Sequence, residues 1–254
     1  MLTEGVHAGD ASGVVPSSFR IARKLVERLE DSTSGWILPS SFHARIPPER
    51  VEQAGHAAAI LGDIVFRKYP FAGGTRPMVD DGAEALLNRT WRPALSTIGA
   101  DGFPPIADAG NGLRPSTSLM LSLRLPPTID GHTATRAMKS LFEADPPQGA
   151  RVSFEPVQGA SGWNAPPTRP WLAQAVTNAS QAIYGKPSAA MGEGGTIPFM
   201  AMLGQQFPNA QFLITGVLGP HANAHGPNEF LHLGYAKRLT ACVAEVIAAH
   251  GAAG

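Results

Sequence analysis

Cysteine is almost absent. Cys242 stands alone among 254 residues, so no disulfide forms within the chain and disulfide-scaffold folds are excluded. It falls on the apolar face of a predicted helix, where it acts as a small buried hydrophobe. An excess of either charge is also missing. Lys plus Arg and Asp plus Glu each total 20, which argues against nucleic acid or an anionic membrane as a partner. No apolar run reaches the ~20 residues of a membrane-spanning helix. The opening MLTEGVHAGD has neither a basic stretch nor an apolar core, so it does not read as a secretory signal, and a cytoplasmic location is expected.

Glycine and proline are plentiful, at 28 and 23 residues, which implies short elements and many turns. A strand is expected over Leu2 to Val6. A helix follows from about Ser17 to Glu30, with Ile21, Leu25 and Leu29 recurring every fourth residue. Residues 36–90 read as an inserted helical segment. They carry one helix from about Pro48 to Lys68 and a shorter one in GAEALLNRTW.

Strands are expected over residues 94–99, 118–125 and 151–156. The second is the clearest. Leu119, Leu121, Leu123 and Leu125 alternate with Ser118, Met120, Ser122 and Arg124, so period two puts the leucines on one face and Arg124 on the other. A helix over residues 133–143 follows. Without the insertion the order is strand, helix, strand, strand, helix, strand, which is ferredoxin-like. Two helices would cover the leucines and leave the Arg124 face open.

GASGWNAPPTRP reads as a linker. Beyond it the pattern becomes α/β with a parallel sheet. Helices are expected over 169–184, 196–206 and 229–250, and strands over 189–191 and Gln211 to Leu218. The last of these, QFLITGVL, is apolar on both faces, as a buried parallel strand should be. In such a sheet ligands bind beyond the carboxyl ends of the strands. The loops GEGGT and HANAHGPN take that place. Gly194, Gly195 and Thr196 open a helix whose free N–H groups suit an anion, or they form a plain turn with a Thr cap. His225 has the chemistry of a metal ligand. The alternative is a solvated loop histidine, with Asn228 capping the last helix and Glu229 in its first turn.

Several motifs together resemble one family. HGPNE before a long helix, with GGTIP upstream, is similar to the C-terminal part of the peptidases that include carnosinase-type dipeptidases, aminoacylases and acetylornithine deacetylases. GVHAGDASGVVPSS resembles the entry to that family's lid, or dimerisation, domain. NRTWRPALSTIGADG, AGNGLRP and LSLRLPP resemble later lid strands, and the long insertion resembles the dipeptidase branch.

The resemblance implies a ferredoxin-like lid with a helical insertion over residues 1–160. The C-terminal portion of an α/β catalytic domain would follow over 161–254. It also implies two zinc ions in the complete active site, with His225 as one metal ligand. His7 would reach into a partner subunit to stabilise the oxyanion. Asn111 and Arg124 would bind substrate, the arginine pairing with its carboxylate, and Gly195 and Thr196 would hold that carboxylate from the catalytic side. The implied substrate is a dipeptide or N-acyl amino acid, and the implied assembly is a homodimer through the lid.

One departure stands out. The family's other metal ligands and its general base lie in an N-terminal segment with His-x-Asp and Glu-Glu motifs, and neither motif occurs where the family would have it. The expectation is therefore a fragment of a zinc peptidase, inactive alone. The alternative is a non-catalytic dimerisation or carboxylate-binding module derived from the lid.

Overall fold

The computed structural model describes residues 1–194 and 198–253. The chain divides into two compact units. The first comprises Met1–Trp163 with Met191–Pro198, and the second comprises Asn164–Ala190 with Phe199–Gly254. The architecture mixes helices and strands.

In the first unit, β1 (Val6–His7) runs directly into a single helical turn, α1 (Ala8–Ala11). The helix α2 (Ser18–Val26) follows. The inserted segment holds α3 (Pro48–Leu61), α4 (Ile64–Arg67) and α5 (Gly82–Thr90). The strands β2 (Ala94–Asp101), β3 (Gly112–Leu113) and β4 (Ser118–Arg124) come next, then α6 (Gly131–Glu143).

Local chemistry sets these limits. Pro48 begins α3, where its missing N–H is not needed. The sequence pattern predicts one helix from Pro48 to Lys68, but Gly62 stands at φ 53° and breaks it, and α4 restarts two residues later. The Asp81 carboxylate accepts the Glu84 N–H at 2.8 Å at the start of α5. The Asp130 carboxylate does the same for Thr133 at 2.8 Å in α6.

The main core of this unit lies between α2, α6 and the β2–β4 ladder. Ile21, Leu25 and Leu29 meet Ala134, Met138 and Phe142, and Leu95, Leu121, Leu123 and Leu125 pack against them. Leu29, Ile37 and Phe42 are almost wholly buried, each stabilising by roughly 1.5–3 kcal/mol. As the alternation implied, the leucine face of β4 is covered and Arg124 is exposed. The insertion has its own core, built from Ala54, Ala57, Val65, Leu86, Leu87 and Trp91.

Among the described residues the strands form two separate antiparallel ladders, β1–β3 and β2–β4, instead of one four-stranded sheet. β1 is only two residues long because His7 already caps α1. Residues 151–156 join no ladder. There the Glu143 carboxylate accepts the Phe154 N–H at 2.8 Å, so α6 provides the partner a strand would have provided.

The second unit contains α7 (Pro170–Tyr184), most of α8 (Pro198–Gln206) and α9 (Leu233–Ala253). α7 ends at Gly185, which is left-handed at φ 69°. Leu172, Ala175 and Ala179 of α7 pack against Val246 of α9, with Cys242 partly buried alongside. Burial raises the Cys242 thiol pKa, with Glu245 adding to it.

The parallel sheet expected here is not among the described residues. Residues 189–191 and 211–218 carry no strand pairing. A strand needs a neighbour to fill its N–H and C=O groups, and no other strand lies in this unit's described residues. Leu213, Ile214 and Val217 remain 41–56% exposed, which contradicts burial on both faces. The expected stripe of α9 narrows too, since Leu231 and Ile247 are exposed.

No helix among the described residues is long and apolar enough to cross a membrane.

Candidate functional site

His7 and Asn111 come together through β1 and β3. In their antiparallel register Val6 faces Leu113 and His7 faces Gly112. The Ala8 N–H then donates to the Asn111 carbonyl at 3.0 Å. Two residues far apart in sequence thus sit on adjoining backbone, and both side chains are exposed.

The ring of His7 is oriented by its neighbour. The Gly9 N–H donates to His7 Nδ1 at 3.2 Å. An accepting Nδ1 belongs to the neutral tautomer with its proton on Nε2, which leaves that N–H free to donate elsewhere. Gly9 makes room for this arrangement, because a Cβ there would come within 2.8 Å of the imidazole.

Arg124 ends β4, paired with Ala94 of β2 on the exposed side of the ladder. The ladder is bulged between Thr97 and Gly99. Gly102, at φ 96°, closes the end of β2, and any side chain there would meet the Ser116 carbonyl.

The loop that begins GEGG is held by the inserted segment. Arg89, in the last turn of α5, donates from Nη2 to Glu193 Oε1 at 3.1 Å and to the Gly192 carbonyl at 3.4 Å. Among the described residues its buried Nε has no partner, an omission that costs about 1–3 kcal/mol when uncompensated. Gly192 and Gly194 lie against α5 so closely that a Cβ on Gly192 would reach Thr90 Cγ2 at 3.1 Å. One on Gly194 would reach the Arg89 carbonyl oxygen at 2.6 Å. These two glycines therefore allow close approach to a helix. Gly195 and Thr196 lie outside the described residues.

The second unit carries His225 in a loop with unusual backbone. His221, Asn223, His225 and Asn228 all have φ between 53° and 62°. Left-handed conformations cost energy for residues with a Cβ, and four so close together mark a shape held by specific bonds. Those bonds are visible. Asn223 Nδ2 donates to the Pro227 carbonyl at 2.7 Å, and the Gly226 N–H donates to the Asn223 carbonyl at 2.8 Å. The Glu229 carboxylate accepts the His225 N–H at 2.9 Å.

Glu229 is therefore not in the first turn of the last helix, and Asn228 does not cap it. α9 begins four residues later, at Leu233, where His232 Nδ1 accepts the Tyr235 N–H at 3.1 Å. The His232 N–H in turn donates to the Leu218 carbonyl at 2.7 Å, which moves the helix start beyond the loop. Sequence reasoning missed the roles of Arg89, Glu193 and His232, and no spacing pattern marks them.

The His225 imidazole is exposed. Among the described residues, no group of three or more His, Cys, Asp or Glu side chains is arranged to hold a metal ion. Its nearest acidic neighbour in sequence, Glu229, is engaged with backbone. The residues present do not by themselves fit a zinc centre, which needs several donors in defined geometry.

The sequence matches the peptidase family M20/M25/M40 over residues 17–249, and the chain belongs to that family. It is 28% identical over 255 residues to the cysteinylglycine-S-conjugate dipeptidase of Corynebacterium striatum, covering 97% of this chain and 52% of that protein. Its fold is similar to the dipeptidase Dug1p of Saccharomyces cerevisiae, with a TM-score of 0.69 at 19% identity, covering 96% of this chain and 52% of the other. It is also similar to human carnosine dipeptidase 1, with a TM-score of 0.67 at 18% identity, covering 98% and 52%. The chain spans about half the length of these relatives.

Proposed function

We propose that this chain supplies the lid and the C-terminal part of the catalytic domain of a zinc-dependent dipeptidase. Residues 1–160 are the lid, with the insertion over 36–90. Residues 161–254 are the catalytic portion. The observation that carries the reading is the β1–β3 ladder. It joins His7 to Asn111, and the Gly9 N–H on His7 Nδ1 leaves Nε2–H as a free donor. A neutral imidazole N–H suits an oxygen on which negative charge develops.

In this reading His7 acts in the active site of a partner subunit, and the lid forms a homodimer. Asn111 and Arg124 bind substrate, the guanidinium pairing with the carboxylate of a dipeptide or N-acyl amino acid. Gly195 and Thr196 hold the same carboxylate from the other side. His225 is one metal ligand. The other donors and the group that accepts a proton from water come from polypeptide other than these 254 residues, so the chain alone does not turn over. Dipeptidase specificity is supported by the Corynebacterium striatum relative, and the compartment is taken as cytoplasmic.

The test is hydrolysis of cysteinylglycine by the purified chain with and without zinc. No turnover is expected. Zinc-dependent turnover that disappears in His225→Ala would overturn the reading of an incomplete centre.

A further inference from the structure

We infer that His232 is a pH-sensitive clasp. In its neutral form it closes the loop that carries His225 and caps α9, and a proton on its ring opens both. The closure is made by backbone bonds across the loop. The His232 N–H donates to the Leu218 carbonyl at 2.7 Å, and the Phe230 N–H donates to the Ala222 carbonyl at 3.2 Å. Gly219, at φ 91°, brings the outgoing chain against the helix start, where a Cβ would come within 2.7 Å of His232 Cβ and 3.1 Å of Tyr235 Cβ. His232 is therefore the joint between the loop and α9.

The same residue satisfies the first turn of α9. The Tyr235 N–H is shared between the His232 carbonyl at 3.0 Å and His232 Nδ1 at 3.1 Å, and the Ala236 N–H donates to the His232 carbonyl at 3.0 Å. Serine, threonine, asparagine and aspartate ordinarily fill this place, and their oxygens still accept near neutral pH. Histidine differs. It accepts through Nδ1 only while that nitrogen is unprotonated, and an ordinary imidazole takes up a proton between about pH 5 and 8. The imidazolium would turn an N–H toward the Tyr235 N–H. It would also set a positive charge at the positive end of a 21-residue helix.

The surroundings do not offset that charge. α7 meets this corner through Tyr184, whose ring lies 6.2 Å from that of Tyr235. Burial and then Tyr235 raise the Tyr184 pKa, so it stays neutral through this range. On α9, Arg238 is itself positive, with its guanidinium 5.1 Å from the Tyr184 ring and its Nε donating to the Gly234 carbonyl at 3.3 Å. Within the loop, His221 and His225 gain charge of the same sign in acid, and the carboxylate of Glu229 is engaged with the His225 N–H. Among the described residues no carboxylate forms an ion pair with His232. The ring is exposed, so a proton reaches it. The cap is present above the imidazole's titration and lost as pH falls through it. The loop then loosens where it joins α9, independent of any role of His225.

The experiment follows amide hydrogen exchange in the purified chain by NMR at pH 7.5 and 5.5, either side of the ordinary imidazole titration. Rates are taken relative to the unfolded chain at each pH. Protection at Tyr235 and Phe230 should fall on the order of tenfold between the two, while Val246, in the packed part of α9, keeps its protection. His232→Asn retains an accepting side chain that does not titrate, so its protection at Tyr235 should change by less than about twofold. His232→Ala should be poorly protected there at both pH values. Equal protection of the wild type at the two pH values overturns the inference, and so does a fall in His232→Asn as large as that of the wild type. A fall at Tyr235 with none at Phe230 overturns the closure of the loop.

Discussion

Arg28→Ala should destabilise the first unit by about 2 kcal/mol. Helix α6 ends at Glu143 without a glycine to turn the chain, and Asp145 takes the left-handed position at φ 40°. A residue with a Cβ in that region costs roughly 1 kcal/mol. Arg28 offsets this. Its Nη1 donates to the Leu141 carbonyl at 3.1 Å and the Ala144 carbonyl at 2.5 Å, and its Nη2 donates to the Asp145 carbonyl at 2.6 Å. The guanidinium thus fills carbonyls that the helix end leaves open and places positive charge at the negative end of the dipole. Three such bonds at about 0.5–1 kcal/mol each, taken low because two are exposed, give roughly 2 kcal/mol. Lysine keeps the charge but not the fork, so Arg28→Lys should recover less than half. Asp145→Gly should recover about 1 kcal/mol in the Arg28→Ala background by relieving the backbone. The measurement is equilibrium urea unfolding followed by fluorescence, since Trp36, Trp91 and Trp163 report on this unit. A loss below about 0.5 kcal/mol at unchanged m-value, or a lysine variant equal to wild type, refutes the reasoning.

Acid should weaken the first unit through three carboxylates held below their usual range. The Ser34 hydroxyl and amide act on Asp31, the Thr133 hydroxyl and amide on Asp130, and the Lys139 ammonium and then the Phe154 amide on Glu143. Their folded values lie below the unfolded ones of about 3.9 and 4.3, so their contribution is present above pH ~4.3 and lost as pH falls through the folded values. Glu30 runs the other way. Burial and then Asp31 raise its pKa, so Glu30→Gln should stabilise at pH 7, with the gain fading toward pH 4, as pH-dependent urea midpoints will show. Sedimentation should give a dimer at micromolar concentration, because both outer edges of the β2–β4 ladder are open among the described residues. A monomer there refutes assembly through the lid. Ile214→Lys should slow aggregation measured by light scattering, since Ile214 is 56% exposed in an unpaired apolar segment. Equal aggregation would show that this segment is not the cause.

Periodicity made most elements of the first unit legible. The four-residue spacing of Ile21, Leu25 and Leu29 and the alternation of the β4 leucines both depend on burial against a core within the same unit. The Asp130 cap was not read from the sequence, and α6 begins at Gly131, two residues before the expected start. The failures share another cause. QFLITGVL has the composition of a buried strand, but a strand also requires a neighbour, and composition says nothing of whether one is supplied. The start of α9 was misplaced because Asn228 and Glu229 suit a helix terminus equally well in the abstract. Glu229 instead accepts the His225 N–H, and His232 performs the capping. The Arg89 clamp joins residues 104 positions apart, and a single sequence carries no signal for such a pair.

Zinc provides the most direct measure of how much of a metal centre this chain holds. A lone exposed imidazole binds zinc with a dissociation constant on the order of 1 mM, and linkage then gives under ~0.1 kcal/mol of stabilisation at 100 μM metal. A complete site with nanomolar affinity would give about 7 kcal/mol under the same conditions. The loop around His225 is already satisfied by its own bonds, with the Glu229 carboxylate on the His225 amide, so metal cannot recruit that carboxylate without breaking an existing contact. The melting temperature should therefore stay unchanged when 100 μM zinc is added to the purified chain, and His225→Ala should behave as wild type in this assay. A zinc-dependent rise of several degrees that vanishes in His225→Ala would show that a nearly complete centre forms within these 254 residues, and the distributed active site would have to be abandoned.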